Sequence, residues 1–282
     1  MPALPEIEVL RRDLEREVVG RRFKGAEIRP GSKSMKLVPR HGRRKEFHNL
    51  LEGARIDTVD RTATTLLLHL DSRHTLVFDL GPAALLTKTS ASETLAPHTH
   101  IVFGFTIGGQ LRLTDPLVST EVFVAPTDEV LAMTGGGPSA IDPLSQGPLT
   151  WQHFSSLLDS RSDALKDLLM DEKFVVGLGA IYSDEVLFAA GIRYDRPANR
   201  LSSQDVRRLY RGLLETLQDA VKARGTSYGP SAFHDLQGDP GSFQLEFKVY
   251  ERQGEYCRRC RNLIEVAEWR SQPVYFCPQC QT

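Results

Sequence analysis

Ile7, Leu10, Leu14 and Val18 recur at three- and four-residue intervals, and Gly20 closes the run. That spacing sets them on one face of a helix, so the pattern predicts an amphipathic helix over 5–19. Beyond residue 54 the period changes. The runs "ARIDTVDR", "TLLLHL", "HTLVFDL", "IVFGFTI" and "QLRLTD" are short, alternating or continuously apolar, and split by Gly, Asp-Ser and Gly-Gly turns. They read as strands of a β-sandwich or barrel. The Gly/Pro-rich "MTGGGPSAIDPLSQGP" then interrupts the pattern, and helical spacing returns in "TWQHFSSLLDS", "ALKDLLM", "YSDEVLFAAGI" and "SSQDVRRLYRGLLETLQDAVKARG". The order predicts an α+β multidomain chain: a sandwich domain over 1–133, a linker over 134–148, a helical domain over 149–242 and a terminal module over 243–282.

All four cysteines lie in that module. "CRRC" and "CPQC" place Cys257, Cys260, Cys277 and Cys280 in two C-x2-C pairs with sixteen residues between them. Pairs at this spacing can grip opposite faces of a tetrahedral ion, with Zn–S bonds of about 2.3 Å. Two disulfides are the alternative. A site closed by four thiolates leaves no position for water, so a zinc held there is structural. The strand-like runs "VAEWR" and "QPVYF" between the pairs predict a ribbon hairpin.

Charge narrows the picture only locally. The 282 residues carry a net charge of −1, which excludes a uniformly basic coat. Between Arg21 and Lys45, however, ten cations face the single acid Glu27. Such a run is either a solvated face or a means of neutralising phosphates. No apolar stretch is long enough to span a bilayer, and a cytoplasmic location is expected.

The most informative segment is "LMDEKFVVGLGAIYSDEVLFAAGIRYDRP". Gly177 and Gly179 interrupt two apolar helical pieces and let the backbone approach a partner closely. Turn amides followed by a helix N-terminus offer a seat for a phosphate. With "MPALPEIE" at the chain start, "TDP" at Thr114–Pro116 and "KVYERQGEYCRRC…YFCPQCQ" at the end, this segment resembles the formamidopyrimidine-DNA glycosylase and endonuclease VIII family. The resemblance runs over nearly the whole chain, in family order.

The resemblance implies a sandwich capped by the first helix, a helix–two-turn–helix domain and a zinc finger. It also implies base-excision chemistry by a monomer on damaged or abasic double-stranded DNA. Pro2, once methionine is trimmed, corresponds to the nucleophile that attacks C1′ and forms an iminium, and Glu6 corresponds to a site carboxylate. Lys166, Gly177 and Gly179 correspond to DNA-contacting positions, and Arg270 lies close to another. Several family groups are replaced. The glutamate after the proline is Ala3, and the lysine of RRxKY is Thr64. TDPRRF becomes "TDPLVS", with Leu117, Val118 and Ser119; the wedge methionine falls on Pro82, the GxGNIY asparagine on Ala180, and the zinc-finger arginine on Gln272. Three readings therefore stand: a glycosylase/lyase with altered substrate preference, a damaged-DNA-binding relative that does not cut, or an inactive paralogue with weak non-specific DNA affinity.

Overall fold

The computed structural model describes every residue except 1, 32, 136–139, 146, 148, 230 and 231. Its contacts divide the chain into two compact units, Met1–Gly137 with Arg224–Gly241, and Pro138–Ala223 with Ser242–Thr282.

The first unit opens with helix α1 (Leu4–Val18), which buries Ile7, Leu10, Leu14 and Val18 as the periodicity predicts, and Leu4 besides. Strand β1 (Phe23–Ile28) and helix α2 (Arg44–Leu51) follow. Strands β2 (Ile56–Thr62), β3 (Thr65–Leu70), β4 (His74–Asp79), β5 (Leu85–Thr89), β6 (Thr99–Phe105), β7 (Gln110–Thr114) and β8 (Glu121–Pro126) then form two antiparallel four-stranded sheets. Their orders are β1-β6-β7-β5 and β2-β3-β4-β8. Phe23, Phe47, Phe78 and Phe103 form one aromatic cluster in the core, with centroids 5.5–6.2 Å apart.

The unbroken apolar run "TLLLHL" has a physical cause. Leu66 and Leu68 pair with the buried Phe78 and Leu76. Leu67 lies on the opposite face, where it packs with Val77, Phe123 and Val130 of helix α3 (Thr127–Gly135). Both faces of the strand are covered, so alternation disappears.

The return segment Arg224–Gly241 belongs to this unit although it follows the helical region in the chain. Buried Asp13 of α1 pairs with Arg224, which also holds Asp235 at 2.6 Å. Glu6 accepts the Thr226 amide at 2.7 Å.

The second unit holds helices α4 (Trp151–Asp159), α5 (Leu165–Met170), α6 (Gly179–Ala190) and α7 (Ser203–Lys222), and the hairpin of β9 (Glu265–Trp269) and β10 (Gln272–Phe276). Ser202 and Asp205 close a reciprocal capping box on α7. Within the expected linker, residues 136–139, 146 and 148 lie outside the described residues. Ile141 is buried and bridges Val175, its amide donating to the Phe174 carbonyl at 2.7 Å.

α6 joins the helices to the cysteine module. Asp184 accepts the Tyr275 amide at 3.0 Å, and Glu185 accepts the amides of Lys248, Val249 and Tyr250 at 2.9–3.0 Å. Phe188 packs with Val249, Cys257, Ile264, Tyr275 and Cys277.

Candidate functional site

In the first unit, Pro2 is half-buried just ahead of α1, and Ala3 is the extended residue at the helix N-cap. A methyl group offers no side-chain cap; the Ala3 carbonyl accepts the first helical bond, from the Ile7 amide at 3.2 Å. Glu8, one turn into the helix, is buried and paired with Arg11, Arg12 and Arg61 at 2.7–3.1 Å. Burial alone would raise its pKa, but the three guanidiniums outweigh that and hold it below the usual carboxylate range. Glu6 is also buried; through Thr226 it ties α1 to the return segment.

Arg61 carries the network into the β2–β3 turn, where it donates to the Ala63 carbonyl at 3.1 Å. Thr64 sits buried in that turn beside Ala63, whose φ is +52°. Thr65 pairs across to Asp79 on β4, and Asp79 pairs to Glu121 on β8. The turn at Thr64 and these two acids therefore lie at one end of one sheet, with Asp79 and Glu121 on the face of Val77 and Phe123 and Arg61, the partner of Leu66, on the other. Burial first, and Glu121 second, push the Asp79 carboxyl above its usual range.

Residues 117–120 are shaped by Asp115. Its fully buried carboxylate accepts four amides: Leu117 and Val118 at 3.0 Å, and Ser119 and Thr120 at 2.8 Å. Burial would raise its pKa, but the Thr120 hydroxyl and the loop amides overcome that and lower it. Val118 is held at φ +55°, a region a β-branched residue rarely adopts. Ser119 lies against Gly81, where an added Cβ would meet its Oγ at 2.0 Å. Pro82 follows Gly81, and Leu117 projects 60% exposed. The loop is thus a rigid scaffold that presents one apolar side chain.

In the second unit, Lys166 is 1% exposed. Its Nζ donates to the Ala180 carbonyl at 3.1 Å, Ser183 Oγ at 2.7 Å and Asp184 Oδ1 at 2.6 Å. All three ammonium protons are engaged inside the protein. Lys166 clamps α5 to α6 and does not reach outward to a phosphate, contrary to the role carried over from the resemblance. Desolvation lowers its pKa and raises that of Asp184, each against the attraction of its partner.

Gly177 and Gly179 adopt φ of +62° and +60°, which explains why the turn needs glycine at both positions. The Gly177 amide already has an anion: Glu172 Oε2 accepts it at 2.8 Å. Ala180 lies half-exposed in the first turn of α6. Arg270 and Ser271, at φ +49° and +62°, make the two-residue turn between β9 and β10. The exposed Arg270 pairs with Asp167 at 2.8 Å, and Gln272 lies exposed at the start of β10.

The four cysteine sulfurs all lie within 4.8 Å of one another, with Cys260–Cys277 at 3.4 Å and Cys257–Cys280 at 3.9 Å. All four are free thiols. A tetrahedral ion with bonds of about 2.3 Å sets its ligands about 3.8 Å apart, so the donor set fits one metal ion. Asp79 and Glu172 stand at these sites without belonging to the residues expected from sequence. An aspartate ending the apolar run "HTLVFDL" and an acid beside the glycine turn are the signals that mark them.

Comparison with known proteins agrees with this geometry. Residues 1–121 match the formamidopyrimidine-DNA glycosylase N-terminal domain, and residues 140–231 match the formamidopyrimidine-DNA glycosylase H2TH domain. The chain is 35% identical over 284 residues to the formamidopyrimidine-DNA glycosylase of Heliobacterium modesticaldum, covering all of both chains. The chain belongs to the formamidopyrimidine-DNA glycosylase family. It is 33% identical over 287 residues to the Bacillus subtilis member, covering 100% of this chain and 99% of that one. Among solved structures, the Lactococcus lactis Fpg bound to DNA containing an abasic site superposes with a TM-score of 0.85 at 27% identity, over 99% of each chain. The MutM (Fpg) protein of Thermus thermophilus gives 0.81 at 30%, over 99% of this chain and 98% of that one. Among the described residues, no helix is long and apolar enough to cross a membrane.

Two outcomes follow. Lys166→Ala leaves Asp184 buried and unpaired, and should cost about 3–5 kcal/mol in denaturant unfolding. The salt dependence of DNA binding by the folded variant should not change; a slope reduced by about one unit, at unchanged stability, would put Lys166 on a phosphate instead. Asp115→Asn should cost about 1–3 kcal/mol. The depressed folded pKa of Asp115 means its contribution is full above the unfolded pKa and is lost as pH falls through the folded one. Stability curves of wild type and variant should therefore converge toward acid pH, and parallel curves would refute this.

Proposed function

We propose that this family member is a base-excision-repair DNA glycosylase and abasic-site lyase that acts on damaged double-stranded DNA through Pro2. The observation that carries the reading is the retained Pro2, at the head of a buried helix, in a chain related end to end to proteins named formamidopyrimidine-DNA glycosylase. A terminal secondary amine titrates near neutrality, so part of it is an unprotonated nucleophile at cellular pH. Attack of its nitrogen on C1′ displaces the base or opens the abasic sugar. The resulting iminium acidifies the C2′ proton, and the strand breaks by β- and then δ-elimination.

Ala3 bears on the rate. A positioned general acid contributes about 10²–10⁴-fold, and a methyl group supplies none of it. An abasic site has no base to expel, so lyase chemistry is the less affected step. The second reading, a damage-binding protein that does not cut, is favoured by Ala3 together with the Glu172 carboxylate on the Gly177 amide.

Cys257, Cys260, Cys277 and Cys280 would hold one zinc ion. Four thiolates close its coordination, so the metal shapes the hairpin and takes no part in the reaction.

Borohydride trapping on an abasic-site duplex tests the main reading, once intact mass has verified Pro2 as the terminus. A covalent adduct that is lost in Pro2→Gly is expected. Measurable DNA binding with no adduct would favour the non-cutting reading. Metal analysis should give one zinc per chain, and chelation should unfold the hairpin and lower the thermal midpoint. A content well below one, with the midpoint unchanged, would overturn the zinc assignment.

A further inference from the structure

The basic run between Arg21 and Lys45 separates into two sets in the structure. Arg22, Arg29 and Arg40 pair with Asp71, Glu27 and Glu121 at 2.6–3.4 Å, and Arg21 donates to the Ile107 carbonyl at 3.0 Å. Lys24, Arg44 and Lys45 form no ion pair among the described residues, and all three line one groove of about 640 Å³. It lies on the outer face of β1, β6 and β7, beside α2. Among the described residues the one acid that lines it is Glu27, which Arg29 already neutralises.

The wall of the groove is fixed in advance. Gly25 sits at a bulge in β1 and leaves no room for a Cβ beneath the His48 ring. That close approach, with His48 Nδ1 3.1 Å from the Ala26 carbonyl, sets α2 against the strand. Arg44, one turn before His48, and Lys45 therefore stand over the groove on a backbone that is already placed. Together with Arg43 at the N-cap, they occupy the positive end of the helix dipole, where a cation is unfavourable and an anion is favourable.

The floor is bare. Phe103 and Phe105 point into the core, so Gly104 between them points out. Its φ lies outside the left-handed region, and an added Cβ would meet nothing nearer than 3.8 Å. Neither conformation nor crowding requires glycine there. A glycine inside a strand weakens the strand and leaves open backbone that a ligand can approach closely.

We propose that this groove is a further DNA-contacting surface, in which Lys24, Arg44 and Lys45 neutralise phosphates of the duplex backbone whether or not a lesion is present. The inference rests on the function proposed above, which makes double-stranded DNA the polyanion. None of the lining residues is a position matched to the family's contacts. The groove is several times the size of one phosphate, and its cations come from two elements, β1 and α2, which suits a row of phosphates better than one small anion. Contacts of this kind carry no sequence information; they add affinity and speed association.

The test measures duplex affinity between about 50 and 200 mM salt for wild type, Lys24→Gln/Arg44→Gln/Lys45→Gln, Gly104→Ile, and a control that loses three exposed cations elsewhere, Arg55→Gln/Arg73→Gln/Lys222→Gln. Undamaged and abasic duplexes are compared, with thermal midpoints and borohydride trapping in parallel. The groove variant should lose about 2–3 units of salt slope on both duplexes alike, at an unlowered midpoint, and the control should keep the wild-type slope. Gly104→Ile leaves every charge in place but fills the floor, and should lose about one unit. A groove variant with the slope of the control, a loss confined to the abasic duplex, or Gly104→Ile binding like wild type would each overturn the surface. Unchanged duplex slopes, with pyrophosphate raising the midpoint of wild type alone, would make the groove a small-anion site instead and overturn it too. Wild-type trapping beside any of these results would leave the function of Pro2 intact. Slopes as expected without trapping would overturn that function and leave the surface standing.

Discussion

Two adjacent acids on α6 hold the second unit together. Successive helical residues point about 100° apart, so Asp184 and Glu185 face different partners from neighbouring positions. Asp184 takes the Lys166 ammonium and the Tyr275 amide; Glu185 takes three consecutive amides at 248–250. One buried helical turn thereby fixes α5, the strap entering the cysteine module, and the second strand of its hairpin. Burial raises the pKa of both acids, and the amides and the ammonium that they accept from oppose that shift. The thiol cluster inherits its position from this arrangement, since Phe188, one turn further along, packs directly on Cys257 and Cys277.

Much of this is legible in the sequence. The periodicity of α1, the strand runs, the two glycines and the two C-x2-C pairs each translate into an observed element because each is a local signal. The double coverage of β3 is visible as an unbroken apolar run. Partner identity is not legible. A lysine in "ALKDLLM" looks the same whether it reaches a phosphate or an aspartate eighteen residues away, and only burial decides. The return of 224–241 to the first unit escapes for a similar reason: its anchors, Thr226 to Glu6 and Arg224 to Asp13, lie more than two hundred residues apart. No window of sequence contains both ends.

The first unit shifts the acid strengths of its buried carboxylates in different directions. Arginines hold Glu8 charged, amides hold Asp115 charged, and burial beside a like charge holds Asp79 toward neutrality. Separation of acid strengths by surroundings is what proton-transfer chemistry requires of a site built from ordinary carboxylates.

The return segment also orders events in time. Glu6 is made 220 residues before its partner Thr226. The sandwich can collapse around its own strands during synthesis, but α1 gains its anchors at Arg224 and Thr226 only once the return segment has been made. A polypeptide stalled before the return segment would hold a formed sheet with the head of α1 incompletely fastened, so the fold makes the seating of its first helix wait for a segment made long after it.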